Sequence, residues 1–135
     1  MRADARQLPF RSRTFDTVFC SPPWDNQQVL IDARPELERV LTPKGRMILL
    51  LPHMDEPELA SLVVTNRDWT DVQSWKVPAP RERVGPRYFS PADDFVAGVL
   101  RRFRARRLLD PFCGVGTIPR VARSLRVFAV GCDIA

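Results

Sequence analysis

The chain has 135 residues, 44% of them hydrophobic and 27% charged, with a formal net charge of +5. That leaves room for one domain with a real core and excludes the disordered and collagen-like classes. No apolar run approaches the roughly 20 residues of a membrane helix, and the opening MRADARQLPF has no apolar signal segment, so a soluble, cytoplasmic protein is expected.

Phe15 to Cys20 (FDTVFC) reads as a strand, because a β-branched and aromatic run stops at Pro22 and Pro23. Gln27 to Leu41 carries Val29, Leu30, Leu37, Val40 and Leu41 at helical spacing, with Pro35 as an irregularity, and Pro43-Lys44-Gly45 ends it. Arg46 to Leu51 (RMILLL) is a continuous apolar run, as for a strand buried on both faces. A helix is expected over Pro57 to Asn66 and a strand over Trp69 to Val77. Val77 to Pro91 holds Pro78, Pro80, Gly85, Pro86 and Pro91 and reads as a loop. Ser90 as cap and Pro91 at the first helical position open a helix that continues through Phe103. A strand from Arg107 into Asp110, a helix from Thr117 to Leu125 and a strand from Val127 to Gly131 complete the chain. Strand and helix alternate, which predicts an α/β fold with a mainly parallel sheet.

Charge is uneven along this order. Lys76 to Arg126 holds twelve basic and four acidic residues, a balance of +8, which leaves −3 for the rest. The densest cluster, Arg101, Arg102, Arg104, Arg106 and Arg107, suits a polyanion such as nucleic acid. Arginine supplies 19 of the 21 basic residues, so a compositional bias accounts for part of the cluster, and a basic helix end also favours the helix dipole. Cys20, Cys113 and Cys132 are odd in number and lack CxxC spacing, so no disulfide framework and no metal site are expected. With His53 as the single histidine, Ser-His-Asp chemistry has little to work with.

Two motifs carry chemistry. Asp110-Pro111-Phe112-Cys113-Gly114-Val115-Gly116-Thr117 joins a strand to a helix, and its two glycines allow a tight turn with close backbone approach to a ligand. The next strand ends in Gly131-Cys132-Asp133, where nucleotide-binding α/β folds hold ribose hydroxyls. A carboxylate at the turn and the absence of Gly-Lys-Ser make a phosphate site less natural than a cofactor with a ribose and a cationic amino-acid tail. Ser21-Pro22-Pro23-Trp24 follows the first strand. Two prolines stiffen the loop and remove two N–H donors, leaving carbonyls, the Ser21 hydroxyl and the Trp24 plane to hold an exocyclic amine and stack on its base. Standing alone, that tetrapeptide would read as a rigid turn with a core tryptophan.

Together the motifs resemble the S-adenosylmethionine-dependent amino-methyltransferases of nucleic-acid bases. The resemblance implies a Rossmann-like class I methyltransferase sheet with the circularly permuted β-class motif order, because SPPW precedes DPFCGVGT. It implies S-adenosylmethionine as cofactor and transfer to an exocyclic amine of a DNA base, cytosine N4 for the SPPW form. It assigns catalysis to Ser21, Pro22, Pro23 and Trp24, the cofactor's cationic end to Asp110, its ribose to Asp133, and close approach to Phe112, Gly114, Gly116 and Thr117. Asp4 is similar to the acid that meets the adenine, and Phe89 and Ser90 to the segment packing on the methionine end. Transfer is direct in this family, so Cys20 is expected to be a buried strand end and not a nucleophile.

The chain also departs from the family. A seven-stranded sheet would need a helix and edge strand between Asp133 and Asp4, so 1–135 is expected to be a single catalytic domain, truncated or split, without one edge strand and helix. The interval from Trp75 to Ser90 is too short for a target-recognition domain. Specificity would then come from a specificity subunit or complementing chain, or from Arg81, Arg83 and Arg87, with Arg101, Arg102 and Arg104 also on the nucleic acid. An RNA (tRNA guanine) base methyltransferase and a non-catalytic fragment or subunit are the alternatives.

Overall fold

The computed structural model describes residues 1–22, 28–53, 55–56, 58–78, 81–84 and 88–134, with backbone alone for 52, 81–84 and 88–90. In chain order the elements are β1 (Phe15–Cys20), α1 (Gln28–Val40), β2 (Leu41–Pro52), β3 (Leu59–Asn66), β4 (Val72–Pro78), β5 (Arg81–Val84), β6 (Tyr88–Pro91), α2 (Asp93–Phe103), β7 (Arg107–Asp110), α3 (Thr117–Ser124) and β8 (Phe128–Gly131). Six strands form one sheet in the order β4-β3-β2-β1-β7-β8, and β5 and β6 form a separate ribbon. β2, β1, β7 and β8 are parallel, whereas β3 runs antiparallel between β2 and β4.

Alternation of apolar side chains covers both faces of the parallel core. Val18, Cys20, Met47, Leu49 and Leu109 point to one face, where Ala33, Leu37 and Val40 of α1 close the core. Phe19, Ile48, Leu108 and Ala129 point to the other, against Val96, Val99 and Leu100 of α2 and Ile118, Val121 and Ala122 of α3. Regular β1–β2 pairing begins at Thr17 opposite Arg46, after a register shift between Phe15 and Thr17, and Pro43-Lys44-Gly45 lies within β2. Pro35 lies inside α1 on its exposed side, where losing one backbone hydrogen bond does not end the helix.

Three expectations are corrected. Residues 59–66 are a strand, not a helix. Leu59, Leu62 and Val63 fit helical spacing and Ala60, Leu62 and Val64 fit alternation equally, and hydrogen-bonded partners on both sides decide for the strand. The Val77–Pro91 interval is not all loop, since β5 and β6 pair from Arg81 opposite Pro91 to Val84 opposite Tyr88. That ribbon takes Ser90 and Pro91, so Ala92 stands at the cap of α2 without a side-chain bond. Asp93 and Asp94 in the first turn provide the charge that favours the helix's amino end.

Candidate active site

Connectivity alone selects one place on the sheet. From β1 the chain passes through α1 to β2, and from β7 through α3 to β8, so it departs in opposite directions from two adjacent strands. The carboxyl ends of β1 and β7 therefore flank a crevice that neither crossover covers, the usual ligand position in open α/β sheets. Both sequence motifs start there, after Cys20 and at Asp110.

The turn after β7 is held by backbone bonds. Cys113 N–H donates to Cys132 O at 2.8 Å, Cys132 N–H to Asp110 O at 2.9 Å, and Gly116 N–H to Cys113 O at 2.8 Å. Gly114 and Gly116 have φ of 50° and 86°, the left-handed region that favours glycine, and Gly116 is the cap residue of α3. A Cβ on either glycine would meet nothing within 4 Å, so this side of the turn is open. Gly114 N–H donates to Asp133 Oδ2 at 2.8 Å, which ties the turn to the acid beyond β8. Gly131 is the tight position, because a Cβ there would lie 2.8 Å from Pro119 Cγ and 3.0 Å from Cys113 Cβ. Gly131→Ala should destabilise the protein by about 1–3 kcal/mol through overpacking, read as a lower urea midpoint, whereas an unchanged midpoint would show that the turn yields freely.

Asp110 is 2% exposed, and its Oδ1 accepts the Phe112 N–H at 3.1 Å. Burial pushes this carboxyl up to about 8, against the Phe112 bond and with the help of nearby Asp133. Burial, and secondarily Asp110, hold the Cys20 thiol well above its ordinary range, which leaves it protonated and without nucleophilic character.

Ser21 is half-buried and Pro22 buried at the mouth of the crevice, while Pro23, Trp24 and Arg87 lie outside the described residues. Phe112 packs on the α1 side of the core, and Thr117 opens α3 in a buried position. Asp4 pairs with Arg6, accepting its backbone N–H at 2.9 Å and its Nη2 at 2.7 Å, and this holds the carboxyl down to about 2. Phe89 and Ser90 lie on β6 and Arg81 and Arg83 on β5, in the ribbon that leads into the amino end of α2. That end is on the crevice side, because Asp93 pairs with Arg120 near the start of α3 at 2.7 Å. Arg101, Arg102 and Arg104 are not brought there. They lie at the carboxyl end of α2, which meets the strand starts through the Arg46 Nη1 to Phe103 O bond at 2.9 Å.

Sequence reasoning missed the fastening of residues 1–10. The backbone of Arg2 forms a parallel β-bridge with that of Asp133, the Met1 ammonium donates to Gly131 O at 2.6 Å, and Ala3 N–H donates to Asp133 O at 3.0 Å, bringing Asp4 toward Asp133. Glu36 accepts the Leu8 N–H at 2.9 Å, and Arg39 donates to Leu8 O and Phe10 O at 3.0 and 2.7 Å. The i, i+3 spacing of Glu36 and Arg39 was visible in sequence, but such a pair ordinarily marks only a solvated helix face.

Residues 1–49 match the family described as a methyltransferase domain. No curated protein matches the chain by sequence. A solved structure of a candidate DNA modification methylase from Thermus thermophilus is 16% identical, with a TM-score of 0.64, over 99% of this chain and 87% of that one. Its complex with S-adenosyl-L-methionine is 15% identical, with a TM-score of 0.65 over 99% and 88%. The complex of M1.HpyAVI with the same compound is 15% identical, with a TM-score of 0.59 over 99% and 91%. The chain has the Rossmann-like α/β fold of class I methyltransferases. Among the described residues its main sheet has six strands, with β4 and β8 at the two edges.

Proposed function

We propose that this chain transfers a methyl group from S-adenosylmethionine to an exocyclic amino group of a DNA base, cytosine N4 for its SPPW form. The observation that carries the reading is the shared crevice. Cys20-Ser21-Pro22 and the Asp110–Gly116 turn leave adjacent strands at the topological switch, with Asp133 hydrogen-bonded to the same turn.

The residues present fit the cofactor. The open side of the Gly114–Gly116 turn admits close approach, Asp133 stands where ribose hydroxyls bind, and Asp110 offers a carboxyl for a cationic amino group. Asp4 is assigned to the adenine end, and Phe89, Ser90, Phe112 and Thr117 to the walls. Bound there, S-adenosylmethionine supplies a sulfonium-activated methyl group. The Ser21 hydroxyl and Pro22 carbonyl accept hydrogen bonds from the flipped base's amine and aim its nitrogen, and Trp24 stacks on the base. Sequence recognition is assigned to a partner subunit or to Arg81, Arg83 and Arg87 of the ribbon region.

Two measurements test the reading. Calorimetry with S-adenosylmethionine and its demethylated product should show binding to the folded chain. Radiolabelled methyl transfer should then reach DNA, with N4-methylcytosine as the product nucleoside. Cofactor binding with label reaching only RNA would move the target to an RNA base, and binding with no transfer to either would leave a cofactor-binding subunit.

A further inference from the structure

The arginine cluster around α2's carboxyl end has no part in the crevice, yet it does not stand alone. The segments 11–16, 42–46, 67–71, 101–107 and 123–127 all lie at the edge where the parallel strands start. The pairings Arg107–Phe128 and Arg46–Asn66 and the bond from Arg13 N–H to Arg39 O fix them there. Together they hold twelve basic residues against three acidic ones, a net +9 in a chain of net +5, which leaves −4 elsewhere. The fold has gathered on one edge a field that the linear sequence spreads over five stretches.

Among the described residues this charge stands outside the ion pairs, none of which includes any of the twelve. Of the three acids, Asp16 is occupied by the backbone N–H groups of Arg106 and Arg107, both at 3.2 Å. Arg13, Arg104 and Arg126 have φ of 57°, 52° and 62°, a conformation in which glycine or asparagine would be the ordinary choice. Compositional bias explains arginine at unconstrained positions and explains less well three exposed arginines that each accept strain.

Two further guanidinium groups are held in place. Arg46 lies over the Phe103 ring at 5.3 Å, and Arg107 lies over Phe128 at 4.6 Å while donating to Thr14 O at 3.0 Å. Each retains N–H donors beyond the one it uses. Beside Arg46 a cavity of about 240 Å³, lined by Lys44, Asn66, Gln73 and Phe103 with Asp71 as its one acid, notches the edge. Planar, fixed guanidinium groups match phosphate oxygens better than lysine-rich surfaces do. Six strands side by side make the edge about 24 Å long, the span of about seven phosphates along one strand of a duplex.

We propose that the strand-start edge is a docking surface for the phosphate backbone of nucleic acid, separate from the crevice. A strand's length of sheet divides the two, so phosphates on this edge and a base in the crevice do not compete. The edge acts without sequence preference and raises the local concentration of nucleic acid.

The test is fluorescence anisotropy of a labelled duplex DNA of random sequence with the full chain, at salt between about 50 and 200 mM. Arg101→Gln/Arg104→Gln is compared with Lys76→Glu, an equal charge change on β4 away from the edge, where Lys76 stands opposite Ser61. The edge variant should lose about tenfold or more in affinity, with a salt slope shallower by about 0.9 per contact removed, and the control should stay within about twofold of the parent. Circular dichroism checks folding, and both variants should bind S-adenosylmethionine like the parent in calorimetry. No duplex binding by the parent, as for a merely solvated helix end, would overturn the proposal. So would equal losses in both variants, or preferential co-sedimentation with phosphatidylserine vesicles. Loss of cofactor binding in the parent, with edge-dependent DNA binding intact, would sink the methyl-transfer reading and leave this one standing.

Discussion

Asp110→Asn should make the protein more stable at alkaline pH and worse at binding its cofactor. The carboxyl stands at about 8 in the folded protein against an ordinary value of 3.8, because burial disfavours its charge. Between those values the folded state keeps a proton that the unfolded chain has released, so stability falls as pH rises through the window. Each unit is worth about 1.4 kcal/mol, with a ceiling of about 6 kcal/mol across the window. Asparagine keeps an oxygen for the Phe112 N–H and has nothing to ionise. Melting curves of parent and variant should therefore converge near pH 4 and separate above it, by about 3–5 °C per kcal/mol for a chain of this size. Parallel profiles from pH 4 to about 9 would contradict the burial argument.

The same group makes a second reading possible. A cationic amino group arriving beside Asp110 favours its ionised form, so cofactor binding at neutral pH should release up to about one proton. Calorimetry in buffers of different ionisation enthalpy measures that proton directly, and the Asp110→Asn variant should lack it. A residue whose removal stabilises the fold while weakening binding is one retained for the ligand.

Ser21→Ala and Trp24→Ala should lower methyl transfer and leave cofactor affinity nearly unchanged, since both residues are assigned to the base. Losing the stacking plane costs roughly 1–3 kcal/mol, which is about 5- to 150-fold in rate. Losing one acceptor costs about 0.5–1.5 kcal/mol, about 2- to 12-fold. Asp133→Ala should do the reverse and weaken cofactor binding first, because it also removes the partner of the Gly114 N–H. Loss of cofactor affinity in both Ser21→Ala and Trp24→Ala, with transfer per bound cofactor intact, would remove these residues from the base site.

The sequence by itself determined the local parts of this protein. The strands at Phe15–Cys20, Arg107–Asp110 and Phe128–Gly131 and the turn glycines at 114 and 116 are short-range events, governed by β-branched runs, prolines and the need for positive φ. The order of the two motifs carried the fold class for the same reason, since each is complete within eight residues or fewer. Only tertiary structure decided residues 59–66, where both periodicities fit and flanking strands supplied the hydrogen bonds. It also decided the proton on Asp110, because desolvation depends on what covers a carboxyl and not on its neighbours in sequence. Likewise the arginines, adjacent on paper to the ribbon that leads into α2, sit a helix length away from it. An 11-residue helix carries the chain about 16 Å from the crevice side to the strand starts, where four other segments complete the positive edge.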